Sequence, residues 1–192
     1  MSSDPARARL LEAAVQVFLR FGYRKTSMEE VARAAHISRQ GLYLHFATKE
    51  ALFVATVTHL VEGAEESART ALEDGTAPIS ERVARAFDAL VGRFVGTLGA
   101  DTADLVEASS ALVGDCFREH EQRACEIVAK ALRTAGLGAA YKPVGVSARQ
   151  LAETLYATAR GYKYTCATRD EFKERMQVAA RALCLPLGRA AC

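Results

Sequence analysis

The residues best suited to chemistry lie together in the N-terminal quarter of this 192-residue chain. Arg39, Gln40 and Gly41 follow Ser38 directly, at the start of a short predicted helix. An arginine can donate two hydrogen bonds to guanine and a glutamine can read adenine, while a glycine lets the backbone approach the floor of a groove. This triplet therefore predicts the reading of base edges in the major groove of DNA.

Side chains that can donate hydrogen bonds to phosphate surround the triplet. They are Thr26, Ser27, Tyr43, His45 and Lys49, and Ser38 completes the predicted DNA-binding set. Lys49 also stands at the start of a predicted helix, where backbone amides favour an anion. Phosphate contacts fix register and affinity, whereas base contacts give sequence choice. The two groups together indicate a DNA-binding module.

The charge distribution agrees with this interpretation. The formal net charge of the whole chain is only +2. The first 50 residues hold eight Lys or Arg against five Asp or Glu, and the other 142 hold 17 against 18. All of the basic excess thus lies beside the candidate site, although an ordinary solvated surface would account for so small an excess equally well.

The elements that position these residues are helices, because apolar residues recur with helical spacing along nearly the whole chain. A first helix opens at Asp4-Pro5 and ends at Gly22, and Ser27 with Glu30 forms a capping box that starts a second helix running to about residue 35. Only two residues then precede Ser38, which caps a short third helix over 39–46. The core is assigned to Phe18, Phe21, Val31, Leu42 and Phe46.

Two helices joined by so tight a turn must cross at a large angle, as in a helix-turn-helix whose second helix enters the major groove. Thr48 caps a long fourth helix that runs to about residue 72. Further helices are predicted at about 79–98, 102–113, 116–136, 147–166 and 170–184. The expected fold is all-α with about nine helices.

The segment from Ala8 to about Phe53 closely resembles the DNA-binding domain of the TetR family. The residues that carry the resemblance are Thr26 to Ala32 and Ile37 to Phe53. The resemblance implies that Tyr43, His45 and Lys49 hold phosphates and that Arg39, Gln40 and Gly41 read bases. The chain departs from the family at His36, where the turn usually has glycine, so we expect a left-handed backbone there.

The same resemblance implies a helix-turn-helix DNA-binding domain over 1–47 and a ligand-binding and dimerisation domain over 48–192. The expected protein is a homodimer, paired through its last two long helices. It would act as a ligand-responsive transcriptional repressor that binds a palindromic operator in double-stranded DNA and is released by a small-molecule inducer. The fourth helix would transmit the response.

A pocket for the unknown effector is expected among helices four to eight. Its candidate residues are aromatic or charged side chains on helices otherwise rich in Ala, Val and Leu: Phe87, Phe94, Glu107, Tyr156 and Arg160. Each of them could instead be a core aromatic or a member of a surface ion pair.

Composition and missing motifs exclude several other classes of protein. Half of the residues are hydrophobic and a quarter are charged, which excludes disorder, and the apolar runs are too short to span a membrane. No secretory signal is visible, so a cytoplasmic protein is expected.

The five cysteines form no Cys-x-x-Cys pair, which predicts neither a disulfide framework nor a zinc site. They are expected to be buried small hydrophobic residues, and a redox-sensing thiol is the alternative. No phosphate loop, Gly-x-Ser-x-Gly or His-Glu-x-x-His motif points to an enzyme or a cofactor. A helical adaptor that uses its N-terminal domain for protein contacts remains the other alternative.

Overall fold

The computed structural model describes residues 4–96 and 103–188, and the side chains of all of these except 103–107, 109, 110 and 186–188. Within that part of the chain the secondary structure is entirely helical, which confirms the all-α prediction. The α-helices are α1 (Pro5–Lys25), α2 (Met28–Ala34), α3 (Arg39–His45), α4 (Lys49–Glu73), α5 (Ile79–Leu90), α6 (Ala103–Thr134), α7 (Leu137–Tyr141), α8 (Ala148–Thr165) and α9 (Arg169–Gly188). Short 3-10 helices span Gly92–Phe94 and Lys142–Val144.

The chain divides into two compact units, and each has a hydrophobic core of its own. The first unit comprises residues 1–62 and 98–118, and the second comprises 63–97 and 119–192. The long helices α4 and α6 each contribute residues to both units. None of the described helices is long and apolar enough to cross a membrane.

The helix starts in the first unit follow the capping signals in the sequence. The Asp4 carboxylate accepts a hydrogen bond of 3.0 Å from the Ala6 amide, and Pro5 occupies the first helical position. The Ser27 hydroxyl accepts from the Glu30 amide, and the Glu30 carboxylate accepts from the Ser27 amide at 2.8 Å. This reciprocal pair confirms the predicted capping box at the start of α2.

The core of the first unit is formed mainly by the apolar faces of α1, α2 and α4. The Phe18 ring meets the Phe53 ring edge to face, with centroids 5.0 Å apart. Phe21 was assigned to this core wrongly, because its side chain is 37% exposed. The helical backbone is interrupted directly after it, where Gly22 has a φ of 78°, and Tyr23 packs against Phe53 in its place, with centroids 4.9 Å apart.

The second unit has a core centred on Phe87 of α5 and Phe172 of α9, both fully buried. Gly92 follows α5 and lies so close to α9 that a Cβ atom would come within 2.7 Å of the Phe172 ring. Beside it, the Arg169 guanidinium donates two hydrogen bonds of 2.8 Å to the Asp88 carboxylate. Glycine at position 92 therefore allows the end of α5 to approach α9 closely.

Four predicted boundaries differ from the structure. Helix α1, expected to end at Gly22, continues to Lys25 beyond a kink at that residue. The helix expected over 79–98 is an α-helix only to Leu90, after which a 3-10 turn follows. The separate helices expected at 102–113 and 116–136 form the single helix α6, in which Val113 alone has a non-helical backbone (φ −134°, ψ 18°). The stretch expected to be a loop after residue 136 contains the short helix α7, because Leu137 is fully buried in the core of the second unit and anchors it.

Candidate nucleic-acid interface

A tight, fully hydrogen-bonded turn joins α2 to α3. The His36 amide donates to the Arg33 carbonyl at 3.2 Å, and the Ile37 amide donates to the Ala32 carbonyl at 3.0 Å. This pair of bonds is the Schellman arrangement that ends many helices, and it needs a left-handed residue at its centre. His36 is that residue, with a φ of 57°. The left-handed backbone that we expected at His36 is therefore present.

Helix α3 is anchored to the unit by one side chain and leaves most of the others free. Leu42 is its only fully buried residue. The Ser38 hydroxyl caps α3 by accepting a hydrogen bond of 2.9 Å from the Gly41 amide. A Cβ atom on Gly41 would come within 3.1 Å of that hydroxyl oxygen. A glycine at position 41 therefore leaves room for the cap as well as for a closely approaching ligand.

The exposed side chains of α3 include all of its predicted DNA-contacting groups. Arg39, Gln40, Tyr43 and His45 are exposed, and the Arg39 guanidinium lies 5.7 Å from the centre of the Tyr43 ring. Leu44 was missed by the sequence analysis. Its side chain is 84% exposed, more than any other large hydrophobic residue described. The feature of the sequence that could have identified Leu44 as exposed is its position in a short helix whose buried face is already occupied by Leu42.

Two residues predicted to contact phosphate are engaged within the protein instead. The Thr26 side chain is 2% exposed, and its hydroxyl donates a hydrogen bond of 2.6 Å to the Gly22 carbonyl. The Lys49 ammonium donates to the carbonyl oxygens of Tyr23, Arg24 and Thr26 at 3.0, 3.4 and 3.1 Å. Both side chains satisfy carbonyl groups at the end of α1, which the chain would otherwise leave without donors.

The junction between α1 and α4 carries further polar contacts. The Lys49 ammonium lies 4.6 Å from the centre of the Tyr23 ring, and the Tyr23 hydroxyl donates to the Glu50 carboxylate at 3.1 Å. Burial raises the pKa of Tyr23, and the bond to Glu50 raises it further. Hydrogen bonds from the Glu50 amide, Thr48 and Tyr23 lower the pKa of Glu50. The carboxylate stays ionised and helps to hold the start of α4 against α1.

Comparisons with known proteins identify this helix-turn-helix. Residues 10–56 match the family described as bacterial regulatory proteins, tetR family. Residues 10–56 therefore form a DNA-binding domain of the TetR family. This match confirms the resemblance seen in the sequence, and the matched residues span most of α1, all of α2 and α3, and the start of α4.

The relatives of this chain are transcriptional regulators, which agrees with the prediction that it is not an enzyme. The transcriptional repressor DhaR of Mycobacterium sp. (strain GP1) is 26% identical over 125 residues, which cover 64% of this chain and 63% of DhaR. The transcriptional activator FasR of Mycolicibacterium smegmatis is 37% identical over 75 residues, covering 37% and 34% of the two chains. The chain thus matches less than two thirds of the length of either relative.

The structural likeness extends over nearly the whole chain. The crystal structure of reduced NemR from E. coli matches with a TM-score of 0.70 and 17% sequence identity, covering 93% of this chain and 97% of that one. At this identity the likeness concerns the fold alone. It shows that this chain and that protein share the same fold.

Four of the five candidate ligand residues lie in different surroundings within the second unit. Phe87 and Tyr156 are buried with ring centroids 6.3 Å apart, and burial raises the pKa of Tyr156 to about 12. Phe94 is half-buried, with the Lys163 ammonium 5.6 Å from its ring centre. Arg160 is exposed and donates to Glu121 at 3.2 Å. The side chain of the fifth candidate, Glu107, lies outside the described residues.

A buried polar cluster in the same unit was not foreseen from the sequence. The Glu65 carboxylate lies 2.8 Å from Nδ1 of His120 and accepts from Nε of Arg123 at 2.9 Å. Glu65 and His120 are each 4% exposed. Buried charges are retained when they are paired and hydrogen-bonded, as here. No local sequence pattern could have predicted the contact between Glu65 and His120, because the two residues lie 55 positions apart.

The described cysteines are all free thiols. Cys125, Cys166 and Cys184 are buried, which confirms the expected role as small core residues, and Cys116 is half-buried. Cys192 lies outside the described residues. Burial raises the pKa values of Cys125 and Cys184 to about 11. Among the described residues no three His, Cys, Asp or Glu side chains come together as a metal site.

Proposed function

We propose that this chain is a transcriptional repressor that binds operator DNA through α3. The observation that carries the proposal is that α3 has a single buried residue, Leu42, and exposes the polar side chains on either side of it. A seven-residue helix adds little stability by itself, and this one is held by a cap, a Schellman turn and one core contact. Such a helix is well suited to insertion into a major groove.

Within that helix we assign base reading to Arg39 and Gln40 and phosphate contacts to Tyr43 and His45. Ser27 lies outside α3 and donates its hydroxyl hydrogen to Glu30, so we assign it the capping of α2. Leu44 joins the base-reading group, because an exposed apolar side chain in a major groove can contact the methyl group of thymine. Thr26 and Lys49 are proposed to act indirectly, by fixing the end of α1 against which the helix-turn-helix packs. The functional division into 1–47 and 48–192 is part of the same proposal.

The proposed homodimer pairs through α8 and α9. Each of these helices exposes three small or apolar residues at i, i+4 and i+7, which lie on one face of a helix. They are Ala157, Gly161 and Tyr164 on α8 and Val178, Ala182 and Leu185 on α9. A Cβ atom on Gly161 would meet nothing within 4 Å, so the helix surface is open at this point to close approach by a partner.

A twofold dimer supplies two copies of α3 for a palindromic operator. Gly161→Arg is therefore expected to convert the dimer to a monomer in light scattering coupled to size exclusion. Gly63→Arg is the matched control, because Gly63 is also exposed with no neighbour within 4 Å of its Cβ position. A monomeric wild type, or an unaffected Gly161→Arg dimer, would contradict this interface.

Release by a small-molecule inducer is proposed to act through α4. This helix supplies Leu52, Phe53 and Val57 to one core and Ala68 and Leu72 to the other, so a change in one core can shift residues of the other. A ligand changes the equilibrium only if it binds the two states with different affinity. Val57→Pro breaks the helix between the two groups and should abolish the response to an inducer. The proposed partner is chromosomal DNA, and the proposed location is therefore the cytoplasm.

Retention of genomic DNA fragments tests the proposal directly. The wild-type protein should retain specific fragments in a gel shift, with an affinity that falls as salt rises. Arg39→Ala should relax base preference at one position by about 1–3 kcal/mol. Tyr43→Phe, which removes only the hydroxyl, should weaken binding by about 0.5–1.5 kcal/mol for all sequences.

The matched control is Arg85→Ala, which removes an exposed arginine from α5, outside the proposed interface. It should retain wild-type affinity and preference. If wild-type protein retained no fragment even at low salt, the regulator function would be refuted and an adaptor or enzyme would be favoured. If Arg85→Ala weakened binding as much as Arg39→Ala, the assignment of α3 would be wrong.

A further inference from the structure

An open pocket in the second unit carries more positive charge than its own residues neutralise. Its volume is about 340 Å³, and it is lined by the last turn of α4, the first turn of α5 and the C-terminal turns of α6. Three cationic side chains line it, Arg69, Arg82 and Lys130, against the single carboxylate of Glu73. A concave site lined by one sign of charge concentrates its field on ligands of the opposite sign.

Two of the three cations have few partners within the chain. Arg69 is paired with Glu65 and Glu66 at 3.9 and 3.5 Å. One terminal nitrogen of Arg82 donates to the Leu72 carbonyl at 2.8 Å, but its Nε is buried and has no acceptor among the described residues. Lys130 forms no ion pair with any described residue. Neither Arg82 nor Lys130 forms an ion pair with a described carboxylate, so each can form a charge-assisted hydrogen bond with an anion that enters the pocket.

Apart from Thr134, the rest of the lining is apolar. Leu72, Ile127 and Ala131 contribute hydrocarbon surface beside the cations. Small-molecule sites of this kind combine an apolar wall with a few polar groups and have volumes of roughly 300–1,000 Å³, so this pocket lies at the small end. A ligand that matches it has one anionic group and a short apolar body.

We propose that this pocket binds small amphipathic anions, with a carboxylate or phosphate group against Arg82 and Lys130 and the apolar body against Leu72 and Ile127. The pocket contains none of the residues predicted from the sequence to bind an effector. Its binding of anions does not depend on the proposed function, whereas any effect of such a ligand on operator release does.

Isothermal titration of the full chain, without DNA, tests the pocket alone. The probes are octanoate, which has both features of the ligand, octanol, which lacks the charge, and acetate, which lacks the apolar body. Octanoate should bind about tenfold more tightly than either of the other two, because one charge-assisted hydrogen bond or a few buried methylenes is each enough for that factor. Raising the salt concentration should weaken octanoate and leave octanol unchanged.

Variants locate the binding. Lys130→Met removes a cation that has no ion-pair partner, so the fold should be retained while octanoate binds about tenfold more weakly. Arg82→Met should have at least as large an effect, although it also removes the bond to the Leu72 carbonyl. Arg133→Met is the matched control, because Arg133 is an exposed cation on the same helix that does not line the pocket.

Equal affinities for octanoate and octanol would overturn the proposal, as would wild-type octanoate affinity in Lys130→Met. A loss of the same size in Arg133→Met would also overturn it, because the effect would then be general electrostatics rather than this site. Gel shifts with operator DNA measure the proposed function separately. Anion binding in the pocket can therefore be lost while operator binding persists, and operator binding can be lost while anion binding persists.

Discussion

Replacing His36 by glycine is expected to stabilise the protein, and the reason lies in the turn between α2 and α3. His36 holds a left-handed backbone with a φ of 57°, and it is the only described residue other than glycine with a positive φ. Its side chain is exposed, so removing the imidazole empties no core. The two turn bonds are made by the backbone and remain available to glycine.

The magnitude follows from two opposing effects. A left-handed backbone costs an L-amino acid about 1–2 kcal/mol relative to the right-handed region, and glycine avoids this cost. Glycine also loses about 0.5–1 kcal/mol more backbone entropy when it folds. The net expectation is a gain of about 0.5–1 kcal/mol in the free energy of unfolding, obtained from the same two terms.

Urea unfolding followed by far-ultraviolet circular dichroism measures this change as a shift of the midpoint at constant slope. His36→Ala keeps the Cβ atom and should not be stabilised. Ala34→Gly is the matched control, since it places a glycine two residues earlier in helical backbone and should lose about 0.5–1 kcal/mol. If His36→Gly were no more stable than the wild type while Ala34→Gly behaved as expected, strain at position 36 would be disproved.

Three further predictions concern contacts within the two units. Glu65→Ala should lower the free energy of unfolding by about 1–3 kcal/mol, because it leaves the buried His120 imidazole without its hydrogen-bond partner. Glu66→Ala, on the exposed side of α4, should change it little, and equal effects would disprove the buried cluster. Lys49→Met should lower the free energy of unfolding by about 1–3 kcal/mol, because the contacts of the ammonium group with three carbonyl oxygens are lost. If stability were unchanged while DNA binding became weaker and less dependent on salt, Lys49 would be a phosphate contact instead. At pH 8, Cys125 and Cys184 should resist alkylation by iodoacetamide in the folded protein. Their pKa values of about 11 keep both thiols protonated until the pH approaches that value. If mass mapping found either thiol alkylated as fast as in urea, its burial would be contradicted.

The sequence by itself determined the elements and the ends that local chemistry governs. Helical periodicity gave the all-α class, and the capping box of Ser27 with Glu30, together with the cap at Ser38, located α2 and α3. The left-handed backbone at His36 was also expected, because the resemblance to the TetR family implies a glycine at this position of the turn. Each of these features depends on hydrogen bonds or steric limits within a few residues, so a short window of sequence contains all the partners.

Tertiary structure decided what each side chain does once the helices are packed. Phe21 and Tyr23 both lie near the end of α1, and only the position of Phe53 determines which of them is covered. The Lys49 ammonium reaches carbonyl groups more than twenty residues earlier in the chain, and Glu65 meets His120 across 55 positions. Such pairings depend on the directions in which whole helices cross. Those directions are set by the summed packing of many side chains, which no local pattern of residues specifies.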